Sequence, residues 1–199
     1  CNASNNFCFY DQVAWRDLGF SVPVNEWHHM ALVLNSSTGI GTAYMDGDVK
    51  GTATYSNVVI GGTVGTAIRI GSDHAGDTNF DGLIDEFRIY NRALSADEIK
   101  RLHKIGSTFV VNKPRTDTLK DGLVGYWSFD GPDMSQSTNN VWAIDRSGQG
   151  NNGVLKNMAT STARIIGKIG QALDFDGSND YVSVAQSSSV NVGDDFSVS

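Results

Sequence analysis

Carboxylates are the side chains of this sequence best suited to chemistry, because two of them can hydrolyse a glycosidic bond and several can bind calcium. Asp85 and Glu86 are adjacent, so on an extended strand they point to opposite faces and cannot flank one bond. Asp174 and Asp176 share a face, but in the run Leu-Asp-Phe-Asp-Gly a solvent-facing strand edge explains them better. The sequence also lacks a G-x-S-x-G motif, a Cys/His pairing and a glycine-rich phosphate loop. We therefore predict a protein without catalytic activity.

Asp85 is the carboxylate whose position in the sequence most needs an explanation. The run Leu83–Tyr90 alternates, so Asp85 shares a face with Leu83 and Phe87 and is expected to point inward. A buried carboxylate is costly unless it is paired, hydrogen-bonded or bound to a metal ion. Two explanations stay open: Asp85 accepts hydrogen bonds from backbone amides, or it binds calcium.

Two loops rich in Asp and Asn, residues 73–82 and residues 145–152, carry the hard oxygen atoms that calcium prefers. The first loop, residues 73–82, is a degenerate D-x-D-x-D-G run, but the twelfth position counted from Asp73 is Ile84 instead of a bidentate Glu. Ordinary turns favour the same residue types and are the alternative for both loops. With Asp85, the candidate calcium ligands are Asp73, Asp77, Asp81, Asp145 and Asn151.

The histidines do not have the spacing of a metal site. His28 and His29 are neighbours on a predicted strand, so they point to opposite faces and cannot chelate one ion together. His74 lies in a loop and His103 on a helix, each alone. We therefore predict no zinc site.

Composition excludes several classes of function. The chain has 199 residues, a net charge of −7 and a pI near 4.9, so it lacks the basic surface that binds nucleic acids or anionic membranes. No apolar run approaches the roughly 18–20 residues that span a bilayer. Cys1 and Cys8 could form a disulfide in an oxidising compartment, or Cys1 could have its natural partner outside this sequence.

Short-range signals predict strands, tight turns and a single helix. Asp46-Gly47 lies between alternating segments and is typical of a type I′ hairpin turn, which needs positive φ at both positions. Ser95 and Glu98 form a capping box that opens a short helix over residues 95–104. Many short strands separated by Gly, Asn, Asp and Ser favour an all-β sandwich or jelly roll over an α/β fold.

Two segments of the first half carry a family resemblance. Residues 80–105, a closing strand followed by the capped helix, resemble the C-terminal signature of bacterial laminin G-like domains, members of the concanavalin A-like lectin/glucanase class. Residues 25–34 look like the Trp-His-His strand of the same family. The resemblance implies an all-β, concanavalin A-like jelly-roll β-sandwich with one short helix, and an extracellular or cell-surface location. It also implies that a structural calcium ion is common near the closing-strand aspartate, here Asp85.

The second half resembles the beginning of such a domain, with residues 121–130 as its first strand and residues 167–184 as a later strand pair. The predicted segments are residues 1–105, the C-terminal part of one laminin G-like domain; residues 106–120, a linker; and residues 121–199, the N-terminal part of the next domain in a tandem array. The two parts could also complement each other as one permuted sandwich, or pair between copies by strand exchange.

The fold hosts lectins, hydrolases and adhesion modules, so function has to come from the residues. Without a catalytic set, we favour a secreted or surface module that binds carbohydrate through aromatic rings, amides and carboxylates. A cluster of two or three exposed aromatics at one loop edge would support it, whereas Trp27 and Trp127 are expected in the core. The alternative is a structural or adhesive spacer repeat that binds protein partners. The candidate ligand-binding residues are Trp142, Tyr126, Tyr90 and Asn152, and Trp15 is a further aromatic of suitable type.

Overall fold

The structure is a computed structural model that describes residues 6–11, 13–55, 67–73, 78–105, 118–136, 140–158, 164–193 and 195–199. In these residues the chain forms sixteen β-strands, one α-helix and two short 3₁₀ helices, which confirms the all-β class with a single helix. Every strand pair with an assigned register is antiparallel. The described residues do not include Cys1, His74, Asp77 or residues 106–117. The Cys1–Cys8 pairing and most of the linker therefore stay predictions, although Cys8 is not a free thiol.

The elements are β1 (Asn6–Tyr10), β2 (Trp15–Ser21), β3 (Met30–Asn35), β4 (Ile40–Met45), β5 (Asp48–Thr54), β6 (Ile68–Ile70), β7 (Asp81–Ile84), β8 (Phe87–Tyr90), α1 (Ala96–Ile105), β9 (Leu123–Trp127), β10 (Met134–Gln136), β11 (Val141–Ala143), β12 (Gly153–Lys156), β13 (Arg164–Ile166), β14 (Gln171–Asp176), β15 (Tyr181–Val184) and β16 (Phe196–Val198). The 3₁₀ helices are Thr118–Lys120 and Gly131–Asp133.

The chain divides into two compact units. The first unit comprises Cys1–Val59, Ile89–Leu123 and Val192–Ser199, and the second comprises Ile60–Arg88 and Val124–Asn191. In the first unit β1 and β2 form a hairpin and a larger sheet has the strand order β5-β4-β3-β16-β8. The second unit contains the sheets β10-β11-β12-β15-β6 and β13-β14-β7.

Each unit draws strands from both halves of the chain. In the first unit β16, the last strand, pairs with β3 and β8. In the second unit β14 pairs with β7 and β15 pairs with β6. Strands that follow residue 121 therefore pair with strands that precede residue 105. The assignment of these segments to successive repeats, with boundaries at 105 and 121, stays a prediction.

Alternating side chains explain how individual strands form. On β15, Val182 and Val184 are both 0 % exposed and alternate with the half-buried Tyr181 and Ser183. β-Branched residues at every second position suit a strand that buries one face.

The two predicted local motifs are present. Asp46 and Gly47 have φ values of 56° and 84°, as a type I′ hairpin turn between β4 and β5 requires. Ser95 Oγ accepts the N–H of Glu98, and the Glu98 carboxylate accepts the N–H of Ser95, which is the reciprocal pattern of a capping box. Helix α1 then buries Ile99 in the core of the first unit.

The predicted continuous strand over Leu83–Tyr90 is wrong. The chain leaves the extended conformation at Asp85 and Glu86, and Glu86 has a φ of 58°. Two interactions hold this break: Arg88 donates to the Glu86 carboxylate, and Tyr126 donates its hydroxyl hydrogen to the same group. The side-chain alternation of β7 therefore does not continue into β8.

Two further expectations about the Trp-His-His segment are also corrected. His28 and His29 precede β3 instead of lying on it, and their rings contact the side chains of Asp46 and Ser199. Trp27 is 37 % exposed and so is not a core residue. Trp127, in contrast, is 0 % exposed as predicted.

Candidate ligand-binding site

An open pocket in the second unit brings together an aromatic ring, a hydroxyl, two carboxylates and a guanidinium. It has a volume of about 400 Å³. We call this cavity the Tyr126 pocket. It is lined by Tyr126, Ser128, Asp130, Asp133 and Arg146.

The local sequence explains how the pocket residues are placed. Tyr126 lies on β9 next to the buried Trp127, so the alternation of the strand turns the tyrosine away from that core position. The chain then makes a 3₁₀ turn over Gly131–Asp133, in which Asp133 donates its N–H to the carbonyl of Asp130. Arg146 follows β11 and donates its N–H to the carbonyl of Tyr126, which ties the second loop to β9.

The Tyr126 side chain is held on two sides. The Arg88 guanidinium lies 4.1 Å from the centroid of the ring, within the range of a cation–π contact. The phenol donates to Glu86 Oε2 over 2.9 Å. Burial raises the pKa of Tyr126 above its ordinary value, so the hydroxyl stays protonated at neutral pH and remains a donor. The ring therefore has a fixed orientation before any ligand binds.

Asp133 organises the polar side of the pocket. Its carboxylate accepts a hydrogen bond from Ser128 Oγ over 2.6 Å and forms an ion pair with Arg146. The Asp133 side chain is 8 % exposed, whereas that of Arg146 is 53 % exposed. The buried carboxylate therefore holds an arginine whose side chain is about half exposed to solvent.

Asp130 is fixed by the turn that precedes β14. Its Oδ1 accepts the N–H of Gln171 over 2.8 Å, and Gln171 Oε1 accepts the N–H of Gly131 over the same distance. Gly170 has a φ of 63°, and a Cβ at this position would lie 2.0 Å from Asp130 Oδ1. Glycine is therefore required for both the backbone conformation and the close approach of the carboxylate.

Asp85 lies in the same unit and is partly buried, as predicted. Burial raises the pKa of this carboxyl to about 6. Its Oδ2 accepts the N–H of Ile169 over 2.8 Å, so the amide explanation applies to that oxygen. Its Oδ1 is buried without a hydrogen-bond partner. A calcium ion at Asp85 stays a prediction, and this buried oxygen without a partner is the observation that supports it.

The other predicted calcium ligands are dispersed. Asp145 accepts four hydrogen bonds, from the N–H groups of Tyr126, Ser147 and Asn151 and from Ser147 Oγ. The Asn151 amide bonds to Val124, Ser187 and Ser189, Asp81 is exposed on β7, and the Asp73 backbone bonds to Thr78. Across the part of the chain that the structure describes, no three His, Cys, Asp or Glu side chains converge on a possible metal position. The calcium ligand set, whose member Asp77 lies outside the described residues, therefore stays a prediction.

Of the predicted ligand-binding residues, only Tyr126 lines the pocket. Trp142 lies half-buried on β11 opposite Ser135 and Val154. Asn152 Oδ1 accepts the N–H of Asp145, so this side chain shapes the loop that carries Arg146. Tyr90 is 1 % exposed in the core of the first unit, so its ring offers no face to a ligand.

Sequence reasoning missed Ser128, Asp130, Asp133 and Arg146. The available signal was the turn-forming run Asp-Gly-Pro-Asp, which is separated from the end of β9 by two residues and places two carboxylates in the turn that follows this strand. The ion pair to Arg146 had no sequence signal, because it depends on how a later loop returns to β9.

A comparison with protein families identifies the class of the first half of the chain. The sequence model of the concanavalin A-like lectin/glucanases superfamily, laminin G type, matches residues 3–100. The chain carries a laminin G-like domain. The match also includes the β1–β2 hairpin, which the segments quoted above did not cover. No curated protein and no solved structure matches the chain significantly.

The family match over residues 3–100 supports two general conclusions. The antiparallel all-β architecture with one helix agrees with the concanavalin A-like β-sandwich of the family. Laminin G-like domains generally act as binding modules without catalytic activity.

No helix among the described residues is long and apolar enough to cross a membrane.

Proposed function

We propose that this laminin G-like chain is a non-catalytic module that binds carbohydrate at the Tyr126 pocket. One observation carries the proposal: the pocket combines a fixed aromatic ring with carboxylate, hydroxyl and guanidinium groups. Sugars present apolar C–H surfaces and hydroxyl groups that both donate and accept hydrogen bonds. The ring of Tyr126 can contact the C–H surface of a sugar. Asp130 can accept hydrogen bonds from its hydroxyl groups, and Arg146 can donate hydrogen bonds to them.

Preorganisation of the site supports binding. The hydroxyl of Tyr126 is fixed by Glu86 and its ring by Arg88, while Arg146 is held by Asp133. Groups that are already ordered lose little conformational entropy when a ligand arrives. A small polar ligand can therefore be bound by a few contacts.

The charges of the pocket indicate which sugars it prefers. Arg146 is paired with Asp133 and Arg88 with Glu86, so these four groups cancel. Asp130 adds one negative charge that no ion pair in this set balances. We expect the pocket to favour neutral or amino sugars over sulfated sugars and uronic acids, because like charges repel in a partly desolvated site.

The setting that we propose is a tandem-repeat protein outside the cell or on its surface. The family match supports the extracellular part of this setting, because laminin G-like domains are typically extracellular, and the tandem arrangement rests on the order of the sequence segments alone.

A glycan-array screen tests the proposed function. The wild-type chain, first shown to be folded by circular dichroism, is compared with the variants Arg146→Gln and Arg164→Gln. Arg164 is an exposed arginine on β13 in the same unit and does not line the Tyr126 pocket, so it controls for loss of charge. We expect the wild type and Arg164→Gln to retain the same glycans and Arg146→Gln to lose at least tenfold in signal.

Two outcomes would contradict the proposal. Equal glycan binding by Arg146→Gln and the wild type would show that the Tyr126 pocket is not the binding site. A folded wild-type chain that retains no glycan would favour the alternative of a structural or adhesive spacer that binds protein partners.

A further inference from the structure

Strand β16 lies in the interior of the larger sheet of the first unit. On one side Ser197 pairs with Val33 of β3, and on the other side it pairs with Tyr90 of β8. Phe196 is 2 % exposed and Ser197 is 0 % exposed. We call the position that β16 fills between β3 and β8 the β16 slot. Without a strand in the slot, backbone N–H and C=O groups of both neighbouring strands would lose their partners, so the sheet requires an occupant there.

The slot is selective for a serine at its centre. Ser197 Oγ accepts the N–H of Leu94 over 2.9 Å and donates to the carbonyl oxygen of Arg92 over 2.9 Å. A strand without a hydroxyl at this position would leave a buried donor and a buried acceptor without partners, which is unfavourable. Next to the strand, Asp195 Oδ1 accepts the N–H of Ser36 over 2.5 Å. The slot therefore fits the Asp-Phe-Ser-Val sequence of this chain better than an arbitrary strand.

The segment that carries β16 is joined along the chain to the second unit. Residues 192–199 belong to the first unit, but they follow directly on Val124–Asn191 of the second unit. Asn191 is tied within its own unit, because it donates its N–H to the carbonyl oxygen of Ser187. Gly193 is exposed, and a Cβ at this position would have no atom within 4 Å. Because glycine is the least restricted residue and has open space here, the connection to β16 can take another path.

The hydrogen bonds that hold the centre of β16 come from residues distant in sequence. The two backbone partners of Ser197 Oγ lie 103 and 105 positions earlier in the chain. These contacts, and the pairing with β3 and β8, are the same whether the strand comes from its own chain or from a second copy. The choice between the two is therefore set by the connection at Gly193 and by concentration, since a short flexible link supplies an effective concentration on the order of millimolar.

We propose that the β16 slot is a strand-acceptor site for a second copy of this chain, with residues 192–199 as the donated segment. Two copies that exchange these segments form a closed dimer in which both slots are filled. In a tandem array, where neighbouring copies are held close together, the same exchange links successive repeats. The inference goes beyond the proposed carbohydrate binding, and it uses residues of the first unit and none of the Tyr126 pocket.

Disulfide trapping between two different copies tests the proposal. One copy carries Leu32→Cys and the other Val198→Cys, since these half-buried residues lie opposite each other in the register of β3 and β16. Opposite residues of antiparallel strands have Cα atoms about 4.5–5.5 Å apart, which is within the range of a disulfide. The two copies are unfolded together in urea, refolded at two protein concentrations tenfold apart and oxidised, and the covalent heterodimer is measured on a non-reducing gel. Below the millimolar range, we expect the heterodimer fraction to rise roughly tenfold between the two concentrations.

Two matched variants control for contacts outside the slot. Thr42→Cys on β4 is half-buried in the same sheet but lies opposite Val33 and not β16, so it should give no heterodimer with Val198→Cys. A Val198→Cys copy that also carries Ser197→Ala should give at least threefold less heterodimer, because the acceptor's own strand keeps its serine and competes for the slot. Ser183→Ala, which changes a half-buried serine on β15 of the second unit, should leave the heterodimer fraction unchanged.

Two results would overturn the proposal. A heterodimer fraction no higher than that of the Thr42→Cys control, or one that does not change with concentration, would show that β16 stays in its own copy. Equal fractions with and without Ser197 in the donor copy would show that the copies associate outside the slot. If the Ser197→Ala copy does not refold by circular dichroism, the concentration series and the Thr42→Cys control decide between the outcomes. The array result for Arg146→Gln does not depend on the slot, so the Tyr126 pocket would stand in each case.

Discussion

Replacing Asp145 by alanine should unfold the second unit more easily, because this one carboxylate closes the loop that carries Arg146. It accepts the N–H groups of Tyr126, Ser147 and Asn151 over 3.0, 2.8 and 2.9 Å, and Ser147 Oγ over 2.7 Å. The residue is 8 % exposed, so these donors have little access to water. The alanine variant leaves three backbone donors without their acceptor.

The size of the effect follows from the number of donors. A buried donor without a partner costs roughly 1–3 kcal/mol. The lower figure for three amides gives about 3 kcal/mol, and water that enters the space of the carboxylate keeps the loss near this lower figure. We therefore expect Asp145→Ala to lower the free energy of unfolding by about 3 kcal/mol.

Urea unfolding, followed by tryptophan fluorescence and far-ultraviolet circular dichroism, measures this difference. The matched control is Asp174→Ala, which removes an exposed carboxylate from β14 in the same unit and should change the free energy of unfolding by less than about 0.5 kcal/mol. Asp145→Asn keeps one acceptor oxygen and should fall between the alanine variant and wild type.

Calcium provides the competing explanation for Asp145. If the carboxylate acts through hydrogen bonds, the loss in Asp145→Ala is the same in millimolar calcium and in chelator. If it acts as a calcium ligand, chelator lowers the midpoint of the wild type and leaves the variant unchanged. That second pattern, or a loss below about 1 kcal/mol in both buffers, would refute the reasoning.

Two further predictions concern the helix cap and the pocket. The hydrogen bond from Arg92 holds the pKa of Glu98 at about 2, below its ordinary value of 4.5. The ionised Glu98 carboxylate therefore stabilises the folded chain above pH 4.5, and this stabilisation is lost as the pH falls towards 2. Glu98→Gln should therefore cost roughly 1–2 kcal/mol at pH 7 and almost nothing at pH 2 in thermal unfolding, and an equal loss at both pH values would contradict this. Gly170→Ala should weaken glycan retention on the array and lower the melting temperature, because its Cβ would meet Asp130. Gly148→Ala has a similarly positive φ but no atom within 4 Å of the Cβ, so equal losses in both variants would exclude the contact with Asp130.

Beyond the all-β class, the motifs that the sequence predicted residue by residue are local ones. The Asp46-Gly47 turn depends on two residues that tolerate positive φ, and the capping box on two side chains three positions apart. Neither needs information from the rest of the chain. Such motifs can be predicted because the interaction energy comes from neighbours in sequence.

The features that the sequence did not predict depend on distant residues. The strand break at Glu86 is held by Tyr126, forty positions away in the chain. An alternating pattern contains no signal of such a contact, so a continuous strand over Leu83–Tyr90 was the natural expectation. The ion pair between Asp133 and Arg146 likewise depends on where a loop returns. The residue types at the site were therefore predictable in part, and their grouping was not.

The measurement that tests the proposed carbohydrate site most directly is a nuclear magnetic resonance titration of the labelled chain with an oligosaccharide retained on the array. The account predicts saturable shifts of the amide signals of Tyr126, Ser128 and Arg146, and their absence in Arg146→Gln. Saturable shifts at other positions with these three signals unchanged would contradict the Tyr126 pocket as the binding site.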